Sequence, residues 1–148
     1  SYNRVDVVAS KNFMRHYVAH RHGIDGKNIV VGLISDQNPP RLPDSHWYRF
    51  LNRDTLFFEG SEQLATKFGI PVFYVRQRKV RRGYYEASME MIYDGVEQIA
   101  QYEMTERYVR LLEEDIKACP EMWMWSHRRW KYAPGADAEY YDNYKNKE

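Results

Sequence analysis

Asp36-Gln37 stands where an apolar run, Ile29-Val30-Val31-Gly32-Leu33-Ile34, meets a proline-rich loop. In open α/β sheets, ligands bind beyond the carboxyl ends of strands. A carboxylate and an amide at such a point suit the orientation of a substrate hydroxyl or of a catalytic group. An Asx-type turn closing on its own backbone accounts for the same pair. His20 and Asp25 form a second pairing, the components of a general base and the acid that orients it. His16 and His20 share one helical face at a spacing that suits two metal ligands, but no third ligand accompanies them. That segment reads more simply as the solvated end of a helix closed by Gly23. Glu59 and Glu62 flank a helix start at Gly60-Ser61. Free N–H groups there either hold an anion or are capped by Ser61, and the cap is the simpler reading.

Cations form two groups. Residues 76–82 hold Arg76, Arg78, Lys79, Arg81 and Arg82 without an acid, and Tyr84 and Tyr85 follow. A basic turn flanked by aromatics fits a nucleic acid, an anionic membrane surface, an acidic carrier protein, or a solvated hairpin tip. Residues 122–132, MWMWSHRRWKY, mix Trp and Met with basic residues. That is the composition of a membrane–water boundary. It is equally that of a partly buried Trp cluster whose cations face water. Between the two groups, residues 86–121 carry ten acidic residues against Arg107, Arg110 and Lys117. Local patches therefore matter although the net charge is only +1.

The elements that must position these residues follow from periodicity and punctuation. Residues 4–9 are β-prone. Residues 10–22 predict a helix with Ser10 as N-cap, Gly23 as C-cap, and Phe13, Met14, Tyr17 and Val18 on its apolar side. The run 29–34 predicts a strand buried on both faces, hence a parallel or mixed sheet. Residues 36–46, with Pro39, Pro40 and Pro43, are a loop. An irregular aromatic segment follows, with Trp47, Phe50, Leu51, Phe57 and Phe58. Residues 60–68 predict a helix begun by Ser61 and closed by Gly69. Residues 70–77 and 83–92 predict an antiparallel pair joined by the basic turn. Residues 105–118 predict the clearest helix, with Thr105 as N-cap, Val109, Leu112 and Ile116 on one face, and Pro120 as its stop. The order implies an α/β fold with a mixed β-sheet flanked by helices.

The 148 residues suffice for one domain with a core. No apolar run approaches the ~20 residues of a membrane-spanning helix. The single Cys119 excludes an internal disulfide framework and a Cys-cluster zinc site. The first residue is Ser, and no secretory leader pattern follows, which suggests a processed fragment. Aromatic residues make up 16%, with 13 Tyr and 4 Trp, so much of the apolar mass carries a polar handle.

The succession VVGLISDQNP, then HWYRFLNRDTLFFEGSEQLATKFGIPVFYVRQRKVRRGYYEA, then YEMTERYVRLLEEDIKACPEMWMWSHRRWK, resembles the lipid A late acyltransferase (lauroyl/myristoyl transferase) family of bacteria. The likeness covers nearly all of residues 1–132, and the terminal W-x-W-x-H-x-R-W-K signature is its most specific part. It implies a glycerolipid-acyltransferase-like fold, anchored on the cytoplasmic face of the inner membrane. It also implies transfer of a fatty acyl chain from acyl carrier protein, or a CoA thioester, to a hydroxyl of a lipid A precursor or related lipid, with no further cofactor. Such enzymes use a His-x4-Asp/Glu dyad upstream of the Asp-Gln loop, the His deprotonating the acceptor hydroxyl. Here His20 and Asp25 have that spacing in the wrong place and do not take the role. The resemblance therefore implies an N-terminally truncated domain over 1–132, inactive alone, with its dyad upstream of Ser1, followed by a polar, flexible tail over 133–148.

The residues carried over are supporting ones. Asp36 and Gln37 match the Asp-Gln pair and shape the active-site floor; Glu62 contributes to the substrate cleft. Arg78 and Arg82 meet lipid phosphates or the acidic carrier. Trp125, His127, Arg129, Trp130 and Lys131 form a membrane-facing or structural signature. The expected partners are acyl carrier protein, the lipid acceptor and the inner-membrane surface, with no metal and no nucleic acid. A sheet lacking upstream strands also favours oligomerisation. The rival reading is a nucleic-acid-binding or membrane-surface module without catalysis.

Overall fold

The structure is a computed structural model that describes residues 7, 8 and 10–134. The chain divides into two units, residues 1–33 and 34–148. Residues 7 and 8 carry no regular structure, and the rest of the β-prone 4–9 lies outside the described residues. So does the expected tail from residue 135 onward.

In the first unit, α1 spans Ser10–His20. Gly23 closes it at φ +103, donating its N–H to the His20 carbonyl at 2.8 Å. A Cβ at that position would stand 2.7 Å from the Lys27 carbonyl oxygen, so only glycine fits the turn. Tyr17 is buried and Phe13 stacks on it with ring centroids 6.3 Å apart. Met14 and Val18, expected on the apolar side, are exposed. The run 29–34 is not the buried strand its composition predicts: it is irregular, with Val30 97% exposed and Ile34 75%. A strand buried on both faces needs neighbours to take its backbone hydrogen bonds. Among the described residues none pairs with it.

The second unit opens with the expected loop and then departs from expectation. The aromatic segment is a hairpin of β1 (Trp47–Phe50) and β2 (Arg53–Leu56), with Tyr48 opposite Thr55 and Phe50 opposite Arg53. Leu51 and Asn52 form its two-residue turn at φ 47 and 62, the left-handed pair that matches strand twist. Asn tolerates that region but Leu rarely enters it, which hides the hairpin from a turn-residue reading.

Helix α2 spans Gly60–Phe68 and ends at Gly69, as expected, with φ 62. Glu59, not Ser61, occupies its N-cap, without a side-chain cap bond. Strands β3 (Val72–Arg81) and β4 (Tyr84–Tyr93) form the expected antiparallel ribbon, longer than predicted. The basic residues up to Arg81 thus lie on a strand rather than in a turn. At the ribbon root, Gly69 and Gly95 approach back to back. A Cβ on Gly95 would meet the Gly69 carbonyl oxygen at 2.8 Å.

Helix α3 spans Glu103–Ala118, and a 3-10 turn follows over Pro120–Met122. Its N-cap is Tyr102 at φ 72, not Thr105, which sits inside the first turn. Val109, Leu112 and Ile116 are buried as the periodicity requires. α3 packs against β1, β3, β4 and α2. The core joins Tyr48, Phe50, Phe57, Tyr74, Ile92, Met104 and this helix face. Its aromatics meet edge to face: Phe50–Phe57 at 5.2 Å and 88°, Tyr48–Phe57 at 5.7 Å and 86°. The architecture is mixed α/β with three α-helices and two separate antiparallel hairpins among the described residues. The single mixed sheet expected from the sequence is not formed there, because the run 29–34 joins neither hairpin.

Arg107 pins the start of α3. It donates to Glu97 twice at 2.8 Å, to Glu103 at 2.6 Å and to the Ile92 carbonyl at 2.9 Å. Arg107 holds the Glu97 carboxyl below its ordinary value; the Ala100 N–H and Arg107 do the same for Glu103. A depressed carboxyl contributes stability above its ordinary value, lost as pH falls through the folded value. Arg107→Gln should therefore unfold more easily than the parent at neutral pH, with the gap closing below about pH 4. Urea midpoints measured across pH 3–7 check this; a gap independent of pH would refute it.

Candidate functional site

The terminal signature and the Asp-Gln loop meet in the second unit. Arg129 is 3% exposed although it sits in a basic, Trp-rich stretch. Its Nη1 donates to Asn38 Oδ1 at 3.0 Å and its Nη2 to the Leu56 carbonyl at 2.5 Å. The guanidinium lies over the Phe57 ring, 4.2 Å from the centroid. Asn38 completes the clasp by donating from Nδ2 to the Arg128 carbonyl at 2.7 Å. Burial lowers the Arg129 pKa to about 10, against the pull of Tyr108 and Asp36. Burial likewise raises the Tyr108 hydroxyl, and Asp36 adds to that rise. The charge of Asp36 thus acts on buried Arg129 and half-buried Tyr108, while Gln37 beside it is exposed.

Trp130 shares the anchoring. Its Nε1 donates to Thr55 Oγ1 at 3.0 Å, and its ring faces Arg53 at 5.2 Å and Phe50 at 6.4 Å. Trp125 is 54% exposed, with Nε1 donating to the Pro120 carbonyl at 2.7 Å. Short turns shape the segment between them: His127 N–H to the Met124 carbonyl at 3.1 Å and Arg129 N–H to the His127 carbonyl at 2.7 Å. The result is an open groove of about 450 Å³, lined by Asn38, Pro39, Pro40, His127, Arg128, Lys131 and Tyr132.

The other residues singled out from the sequence lie elsewhere. Glu62 is buried, and its carboxylate serves the start of α3. Oε1 accepts the Tyr102 N–H at 2.5 Å; Oε2 accepts the Thr105 N–H at 2.9 Å and its hydroxyl at 2.6 Å. Arg78 is exposed and pairs with Glu86 at 2.9 Å; Arg82 is exposed at the ribbon tip. Arg76 is bonded to Asp115 of α3, with Glu90 and Glu114 at 3.5 and 3.8 Å, so part of the basic patch is already neutralised. His20 turns its Nδ1 to the His16 carbonyl at 2.9 Å, inside α1. Among the described residues no three His, Cys, Asp or Glu side chains gather as a metal site.

The sequence reading passed over Asn38, Thr55 and Tyr108, and gave Thr105 only as an N-cap, not as a partner of Glu62. Each acts through a partner 40 or more positions away, and no local spacing signals that. It also passed over a second cluster, where His46 stacks on Tyr102 at 4.1 Å and meets Tyr48 at 4.7 Å. Glu59 joins it: burial raises this carboxyl, and His46 offsets part of the rise.

A mixed α/β chain whose terminal Trp/Arg signature is folded onto an Asp-Gln loop is the class defined by these observations. The family model for bacterial lipid A biosynthesis acyltransferases matches residues 3–132, and the chain belongs to that family. Comparison with curated proteins and comparison with solved structures each give no match.

Proposed function

We propose that the chain serves the transfer of a fatty acyl group from a thioester donor, acyl carrier protein or CoA, to a hydroxyl of a lipid A precursor or related membrane lipid. Family membership gives the acyltransferase class. What supports the finer reading is the clasp, in which Asn38, one residue beyond Asp36-Gln37, bonds both Arg128 and Arg129. Two of the stretches that carry the family likeness are thereby joined, an arrangement suited to forming part of the floor of an active site. In this reading the general base comes from a His–acid dyad outside these 148 residues, in a domain of glycerolipid-acyltransferase type on the cytoplasmic face of the inner membrane. Residues 1–132 form the C-terminal part of that domain. No helix among the described residues is long and apolar enough to cross a membrane, so attachment would come from another segment or from surface contacts.

The test compares this chain with a longer reading frame containing it, each given acyl carrier protein or CoA thioesters and a lipid A precursor. The longer protein is expected to transfer the acyl group and the chain alone is not. Turnover by the chain alone overturns the external base. Failure of the longer protein with both donors, and with other hydroxylated lipids, overturns the acyltransfer reading.

A further inference from the structure

We propose that the outer face of the β3–β4 ribbon is a docking surface for an anionic lipid bilayer, with the ribbon lying flat in the plane of the membrane interface. The proposal deepens the acyltransfer reading and rests on it only for which membrane is met.

The face follows from the strand register. Side chains alternate along a strand, and cross-strand partners share a face. Tyr74, Arg76 and Arg78, with their partners Glu90, Ser88 and Glu86, form the inner face. Tyr74 is buried there and donates to Asp115 of α3 at 2.7 Å. Both carboxylates of the two strands lie on this side, Glu86 2.9 Å from Arg78 and Glu90 3.5 Å from Arg76. The outer face pairs Phe73 with Met91, Val75 with Met89, Gln77 with Ala87 and Lys79 with Tyr85. None of these residues is acidic. Phe73, Val75, Met89 and Met91 are 48%, 51%, 73% and 56% exposed. A sheet face that meets water carries polar side chains at such alternate positions, and this one does not.

Area and charge select a bilayer over a second copy of the chain. The four side chains leave roughly 400 Å² of apolar surface, the size of a functional patch on a monomer. That is about half of the ~800 Å² each partner buries in a stable complex. Toward the tip the ribbon carries Lys79, Arg81, Arg82, Tyr84 and Tyr85, all exposed. Arg81 lies over the Tyr84 ring at 3.4 Å, a contact that keeps its charge. Cations and tyrosines bordering an apolar patch are the composition of an interfacial element. The two methionines adapt their unbranched chains to an uneven apolar surface. Phe73 and Lys79 are about 20 Å apart along the strand. Entry tip first would therefore carry the cations into hydrocarbon ahead of the apolar pairs, and charge there is costly. The flat orientation sinks Phe73, Val75, Met89 and Met91 among the lipids while the cations stay level with the headgroups.

Flotation of the chain with vesicles of phosphatidylcholine and phosphatidylglycerol in equal parts tests the face. Capture is expected there, and about tenfold or more weakly on phosphatidylcholine alone. The Val75→Thr, Met89→Thr, Met91→Thr variant keeps strand-forming residues and should lose about tenfold or more on the mixed vesicles. The Arg81→Gln, Arg82→Gln variant should lose about tenfold on mixed vesicles and bind phosphatidylcholine as the parent does. Trp125→Ser, altered at the Trp-rich segment, should float as the parent does. An environment-sensitive fluorophore on Met89→Cys, in a Cys119→Ser background, should shift to the blue on vesicles; one on Glu86→Cys should not. That comparison needs no folded triple variant. Absence of capture, capture lost with Trp125→Ser but kept in the triple variant, or equal shifts at both labelled positions overturns the docking face. So does a dimer in sedimentation that the triple variant abolishes, or RNA binding through Arg81 and Arg82 without vesicle capture. None of these readouts needs acyl transfer. Failed transfer with intact capture overturns only the acyltransfer reading, and lost capture with intact transfer overturns only the docking face.

Discussion

Replacing Arg129 by alanine is expected to lower the stability of the second unit by about 3 kcal/mol. The loss has identifiable parts. The Leu56 carbonyl and Asn38 Oδ1 lose a charged donor, and a buried acceptor left without one costs about 1–3 kcal/mol. The Phe57 face loses the guanidinium that lies 4.2 Å from its centroid. Burial itself works against this charge, as the depressed pKa of about 10 records. What offsets that cost is its planar fork, which serves two acceptors from one buried position. Arg129→Lys should accordingly recover less than half of the loss, because one ammonium cannot meet both acceptors and lie flat on the ring. Arg128→Gln, altered at the exposed neighbour, should stay within about 0.5 kcal/mol of the parent. Urea unfolding at neutral pH reads all three. An Arg129→Ala midpoint equal to that of the parent would remove the clasp as a stabilising element.

The second large effect is expected at Glu62. This carboxylate accepts three donors at the start of α3, where the first N–H groups of a helix have no partner within it. Its negative charge also sits at the positive end of the helix dipole. Glu62→Ala should cost about 3 kcal/mol, since three buried donors lose their acceptor together. Glu62→Gln keeps the shape but turns an NH2 group toward donors, and should cost about half as much. Thr105→Val removes one of the three and should couple to Glu62→Ala in a double-mutant cycle. The same pair of variants weighs the alternative role in a substrate cleft. A cleft residue would change KM in the active protein and leave unfolding unmoved; the capping role changes unfolding first.

Much of the local structure was legible because its causes are local. The apolar spacing Val109, Leu112, Ile116 and the stop at Pro120 mark α3, and the flanking turn residues mark the β3–β4 ribbon. The closing glycines, Gly23 and Gly69, were legible for the same reason. The β1–β2 hairpin was not, because its turn uses Leu51 in a left-handed conformation that Leu seldom adopts. The caps at Ser61 and Thr105 were misplaced because a preferred cap residue is only a propensity. At α3 a glutamate 43 positions away from Thr105 satisfies the N–H groups instead. The run 29–34 has the composition of a buried strand, yet composition cannot provide a neighbouring strand.

The candidate site divides the same way. By itself the sequence determined the family likeness, the chemistry at hand, and the basic character of the segment ending at Lys131, because these depend on residue type and spacing. Only the tertiary structure decided which of these cations is turned into the core. Arg129 and Arg128 are adjacent and alike in charge. Arg129 is turned inward by Asn38, 91 positions away, and by the Leu56 carbonyl, while Arg128 is left to line the groove. That choice is fixed by long-range acceptors and by the desolvation of a buried charge, neither of which a local sequence pattern contains.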